Sequence, residues 1–133
     1  MSLAESGSSP DRLRYARSDL ILAESNPPAG VLLEALCFHA QQAAEKAIKG
    51  VMIHVGVEPP FIHDINRLLN ILAPTLSFPE AVSASAGLTP YAAISRYPGD
   101  VVVIGATEWQ EAVALARAVV EWAESVIDGP GAV

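Results

Sequence analysis

The chain has 133 residues, 51% of them hydrophobic, and its 8 Lys and Arg against 15 Asp and Glu leave a formal charge of −7. That length defaults to one domain with a core large enough to need no staples, and the acidic balance argues against non-specific binding to nucleic acid, because a negative surface repels phosphate at long range. No apolar run approaches the roughly 18 residues that span a bilayer, since Glu34, His39, Glu45 and Lys46 interrupt the longest.

Residues 1–9 lack a basic stretch followed by an apolar one and do not read as a secretory signal. The expectation is a cytoplasmic protein in which 1–9 is a flexible N-terminus, part of it an expression remnant, 10–128 a single helical domain and 129–133 a tail. The lone Cys37 cannot form an internal disulfide, and among Leu36, Phe38 and Ala40 it reads as a small buried hydrophobe.

Ser9-Pro10 is a cap followed by a good first helical residue, and Leu13, Ala16, Leu20 and Ile21 recur at helical spacing until Asn26-Pro27-Pro28. This predicts a helix over about 10–25. The next segment carries Leu32, Leu33, Leu36, Ala40, Ala43, Ala44, Ala47, Ile48, Val51, Met52 and Val55, a wide apolar face that ends with Gly56 just past the helix. It is the longest helix and the expected centre of the core.

After Glu58-Pro59-Pro60, either His63 or Asp64 caps a short helix bearing Ile65, Leu68, Leu69 and Leu72 and ending before Pro74. Ser77-Phe78-Pro79-Glu80 has the pattern of a capping box for a fourth helix. Gly87-Leu88-Thr89-Pro90 interrupts that helix, which resumes through Tyr91 and Ile94 and stops at Pro98-Gly99. Val101–Ile104 is strand-like, but four residues with no second strand make no sheet, so an extended apolar segment against the bundle is expected. Thr107-Glu108-Trp109-Gln110 is a second capping box, opening a last helix lined by Val113, Leu115, Ala116, Val119, Val120, Ala123 and Ile127. The fold class that follows is all-α, an up-and-down antiparallel bundle of four to five helices.

The most unusual stretch is Cys37-Phe38-His39-Ala40-Gln41-Gln42-Ala43-Ala44-Glu45-Lys46-Ala47-Ile48-Lys49. At about 100° per residue, His39, Gln42, Lys46 and Lys49 fall within one strip along three turns. Together with His63-Asp64-Ile65-Asn66-Arg67-Leu68-Leu69 and Leu88-Thr89-Pro90-Tyr91-Ala92-Ala93-Ile94-Ser95-Arg96-Tyr97-Pro98-Gly99, it resembles the HEPN domain family of small bacterial and archaeal proteins, over roughly 11–127. The resemblance implies a helical bundle, commonly a homodimer, often encoded beside a minimal nucleotidyltransferase, with a nucleotide-binding role and, in some members, ribonuclease activity as toxins of toxin-antitoxin pairs.

The nuclease members carry an Arg followed, after four to six intervening residues, by a His, a pair able to stabilise charge and move a proton. This chain departs from that pattern. Its last histidine is His63, so Arg67, Arg96 and Arg117 have no His after them, and Arg12, Arg14 and Arg17 precede His39 by more than 20 positions. The expectation is a non-enzymatic module without cofactor that dimerises and binds a nucleotidyltransferase or a nucleotide. The alternative is a divergent, metal-independent ribonuclease that brings Arg96 together with His39 or His63.

The candidate binding residues are His39, Gln42, Lys46 and Lys49 on the strip, with Arg96 and Tyr97 at a helix end, where a guanidinium fork and an aromatic face suit an anion. The plainer readings are a hydrogen-bonded interface histidine, a solvated face, and an Arg96 that neutralises a helix terminus or pairs with Asp100. His63-Asp64 evokes a metal pair, but only His39 and His54 remain to complete it, so no metal site is expected. Trp109 and Trp122 lie over three turns apart and read as packing or dimer-interface aromatics.

Overall fold

Five α-helices and one 3₁₀ segment make up the computed structural model, which describes residues 7–96 and 103–129. They are α1 (Ser9–Glu24), α2 (Leu33–His54), α3 (Ile65–Leu72), α4 (Glu80–Ala84), the 3₁₀ segment (Ser85–Arg96) and α5 (Ala106–Ile127). No strand occurs among the described residues, and the architecture is the expected all-α bundle. Residues 1–6, Tyr97 to Val102 and 130–133 lie outside the described residues, which covers most of the expected flexible N-terminus, most of the tail and half of the Val101–Ile104 segment.

The helix ends show where local sequence decides. Ser8, one residue earlier than expected, caps α1 by accepting from the Asp11 amide at 3.2 Å, and Pro10 sits in the first turn, where its missing N–H costs nothing. At the end of α2, Gly56 takes a left-handed φ of +83°, the Val57 amide donates to Met52 O at 2.8 Å and the Gly56 amide to Ile53 O at 3.1 Å. That is a Schellman closure, and it satisfies two carbonyls the helix leaves over. Asp64 caps α3 by accepting from the Arg67 amide.

Neither expected capping box forms. Glu80 and Ala106 are the first residues of α4 and α5, so Pro79 and Gly105 occupy the cap positions and make no side-chain cap bond. Each helix thus starts at a different point from the one its pattern implied, and a capping-box Glu works only as the third helical residue. The stretch around Pro90 does not resume as α-helix either. Pro90 has no amide hydrogen, and Ser85 to Arg96 run as 3₁₀ throughout.

α2 is the centre of the molecule and packs against α1, α5, the 3₁₀ segment and α3. Ala40, Ala43, Ala44 and Ala47 are fully buried, and such small side chains let neighbouring helix backbones come close. At Gly50 a Cβ would stand 3.2 Å from Arg12 Cβ and 3.4 Å from Ser9 O, so the first turn of α1 rests directly on α2. Leu13, Ala16 and Ala23 from α1, Ala112, Ala116, Val119, Val120 and Ala123 from α5, and Ile65, Leu68 and Leu72 from α3 join it in the core.

Cys37 is fully buried, and burial, with a contribution from the Glu108 and Glu34 carboxylates, pushes its thiol up to about 11. It is a packing residue, protonated at neutral pH. In the described half of the 101–104 segment, Ile104 is buried, its amide donating to Glu34 Oε1, while Val103 faces out. Both tryptophans pack: Trp109 donates its indole N–H to Ala23 O, and Trp122 meets Phe78 edge-on.

Candidate functional site

Two carboxylates organise the polar side of α2, and they divide the strip between them. Asp19 on α1 sits in register with Leu13, Ala16 and Ala23 on the buried stripe of that helix. An acid in that register faces the neighbouring helix, and a carboxylate taken out of water needs donors. Two come from α2: His39 Nδ1 lies 3.0 Å from Asp19 Oδ1, and Lys46 Nζ donates to Oδ2 at 2.7 Å. Each carboxylate oxygen therefore has its own donor. Phe38 holds the His39 ring edge-to-face with centroids 5.5 Å apart. The His39 and Lys46 side chains are 33% and 30% exposed, against 11% for Asp19, so the acid is the inner member of the cluster.

One residue before Lys46, about 100° around the helix, Glu45 turns to the core. Lys49 Nζ donates to Glu45 Oε2 at 3.0 Å, and Gln41 Nε2 donates to Oε1 at 2.9 Å and to His63 O at 3.3 Å. His63 Nδ1 lies 3.1 Å from both Glu45 oxygens. Lys49 is only 1% exposed and Gln41 is fully buried, so this ion pair lies within the bundle and ties α2 to the loop ahead of α3. Gln42 joins the same network by donating to Gln41 Oε1 at 2.7 Å. Among the described residues, no buried side-chain nitrogen or oxygen lacks a partner.

The predicted strip is thus not one face. His39 and Lys46 come together on Asp19 at the α1 side, while Gln42 and Lys49 belong to the Glu45 network. Arg96 closes the 3₁₀ segment, and Tyr97 is outside the described residues. Reasoning on one helix missed Asp19, Glu45 and Gln41. Two signals existed: an acid in the register of α1's buried stripe, and a Glu followed by a Lys four residues on in a helix, a spacing that brings the two together.

Beside the Asp19 cluster lies a cleft of about 250 Å³ lined by Gly7, Asp11, Arg12, Tyr15 and Lys46. Arg14 lies over the Tyr15 ring, 5.3 Å from its centroid, and pairs with Asp11. Two other arginines serve the bundle: Arg17 joins Glu124 of α5 and Asp128, the residue that caps its C-terminus, at 2.8 Å each, and Arg117 joins Glu24. The cleft thus gathers Arg12, Lys46 and the Tyr15 ring beside the carboxylates of Asp11 and Asp19. No group of three or more His, Cys, Asp or Glu side chains among the described residues is placed to hold a metal, and no described helix is long and apolar enough to cross a membrane.

A family model described as HEPN domain matches residues 9–126. Among solved structures, the fold is similar to TT1696 from Thermus thermophilus, with a TM-score of 0.75 and 31% identity over 89% of this chain and 97% of that one. It is likewise similar to ST0689, an archaeal HEPN homologue, with a TM-score of 0.70 and 29% identity over 92% of this chain and 99% of the other. No curated protein matches the chain.

Proposed function

Because this chain belongs to the HEPN domain family, we propose that it is a non-enzymatic module that self-associates and binds a nucleotide, or a nucleotidyltransferase partner, along the α1 and α2 side. The observation that carries this reading is Lys46: it lines the cleft with Arg12 and Tyr15, and its ammonium donates to Asp19 beside His39. Cations and an aromatic ring at one concavity are what a phosphate joined to a base requires. Exposed apolar side chains on α1, Tyr15 and Leu22, lie seven residues apart and so share a stripe, which supports a second chain docking nearby. Calorimetry with ATP tests the site: Lys46→Glu should weaken binding at least about tenfold, since it replaces attraction by repulsion at the contact. Equal heats from the two proteins would remove Lys46 from the site.

One geometric feature favours a second reading, the ribonuclease. With Asp19 accepting from His39 Nδ1–H, the Nε2 of a partly exposed ring is left to take a proton, as a general base must. If His39 is catalytic, the purified chain cleaves RNA without added metal and His39→Ala lowers the rate about 100-fold or more. The same background rate in both proteins ends this reading.

A further inference from the structure

We propose that Asp19 is the displaceable counter-ion of a phosphate subsite in the cleft between α1 and α2, and that Lys46 changes partner, from Asp19 to a di- or triphosphate, when that anion enters. The inference rests on the binding reading above and specifies how the site is occupied. Sites that enclose a drug-sized ligand run about 300–1,000 Å³, and the cleft holds about 250 Å³. It therefore suits a pyrophosphate-sized group, with any attached nucleoside left outside the cleft.

The second step is the chemistry of the lining. Lys46 is the cation the exchange concerns; Arg12, which already has a contact of its own, stands on the same wall, and Asp11 has Arg14 as an ion-pair partner. Lys46 also lines the cleft, and its ammonium is held by a carboxylate that is itself mostly buried. An incoming phosphate thus competes with Asp19 for the same ammonium.

The third step is why that exchange is possible. Removing the only donor from an inward carboxylate leaves a poorly solvated charge, which is costly. Asp19 has a second donor: His39 Nδ1 holds Oδ1 while Lys46 holds Oδ2. When Lys46 leaves, His39 keeps the carboxylate bonded within the seam. The Glu45 and Lys49 pair offers no such exchange, because that lysine lies in the core. On a chain of net charge −7 the resting ion pair also acts as a brake, so that only anions with enough charge to outcompete one carboxylate bind.

The test is calorimetric titration of the full chain with inorganic pyrophosphate. Asp19→Asn, which keeps an oxygen for His39 but removes the competing charge, should bind about 5–10-fold more tightly than the parent, and Lys46→Met should lose binding. Should Asp19→Asn fail to fold, the parent protein decides by NMR. Saturating pyrophosphate should move the Lys46 ε-methylene resonances. Equal affinity of parent and Asp19→Asn, or unmoved Lys46 resonances with pyrophosphate bound, overturns the exchange and leaves the binding reading standing. Absence of binding of both pyrophosphate and ATP in every protein overturns both.

Discussion

Replacing Glu45 by Ala should destabilise the protein by about 3–5 kcal/mol, the typical result of stripping one partner from a buried ion pair. Lys49 is 1% exposed and has no route to water without opening the bundle. Its ammonium would keep its place in the core and lose the carboxylate that balances it, and Gln41 and His63 would lose an acceptor as well. Set against a total stability of about 5–15 kcal/mol for a native domain, such a loss lowers the thermal midpoint by roughly 10–20 °C. The control is the double replacement Glu45→Met, Lys49→Met, which removes both charges while keeping volume. Paired charges in a core roughly break even against apolar residues, so the double variant should lie within about 2 kcal/mol of the parent and be more stable than the single one. The half-exposed His63 can then turn to water. Urea unfolding of the three proteins measures this, and a double variant no better than Glu45→Ala would mean that the pair is not the reason for the loss.

That pair also shows how far the amino-acid order speaks for the structure. The helices were legible because their signals are local: apolar residues at helical spacing, Asn26-Pro27-Pro28 after α1, Gly56 closing α2 and Asp64 opening α3. The starts of α4 and α5 were not. Their Ser-x-x-Glu and Thr-x-x-Gln patterns are compatible with a cap, but a pattern does not fix which residue takes the extended cap conformation, and Pro79 and Gly105 took it. The site was half legible for a related reason. Periodicity on α2 aligned His39, Gln42, Lys46 and Lys49, yet the partners that decide where each side chain points come from elsewhere. Asp19 is 20 positions from His39 and 27 from Lys46, and His63 is 18 from Glu45. A strip about 80° wide has two edges, and in a packed bundle one edge reached α1 while the other turned inward. Residue type carried the remaining information: an acid on the buried stripe of α1 demands a donor from its neighbour.

Trp109→Ala should cost about 3 kcal/mol, because one side chain supplies both packing and the end of another helix. The last four carbonyls of a helix have no partner within it. In α1, which ends at Glu24, Ala23 O is one of these, and the indole Nε1–H of Trp109 donates to it at 2.7 Å from the first turn of α5. The ring itself packs on the core. Trp109→Phe separates the two contributions: the ring surface largely remains and the hydrogen bond is lost, leaving a carbonyl short of its donor at a cost of about 1–2 kcal/mol. The neighbouring Glu108 accepts from the Tyr91 hydroxyl, whose pKa is raised chiefly by burial and then by that bond, so the first turn of α5 is fastened to the 3₁₀ segment as well as to α1. Loosening it should therefore act on both contacts, and amide exchange should quicken at the C-terminal end of α1 and along the 3₁₀ segment, while the amides of α2 remain protected to the level of global unfolding. If Trp109→Phe proves as stable as the parent, water has replaced the indole at Ala23 O, and the contribution of Trp109 is packing alone.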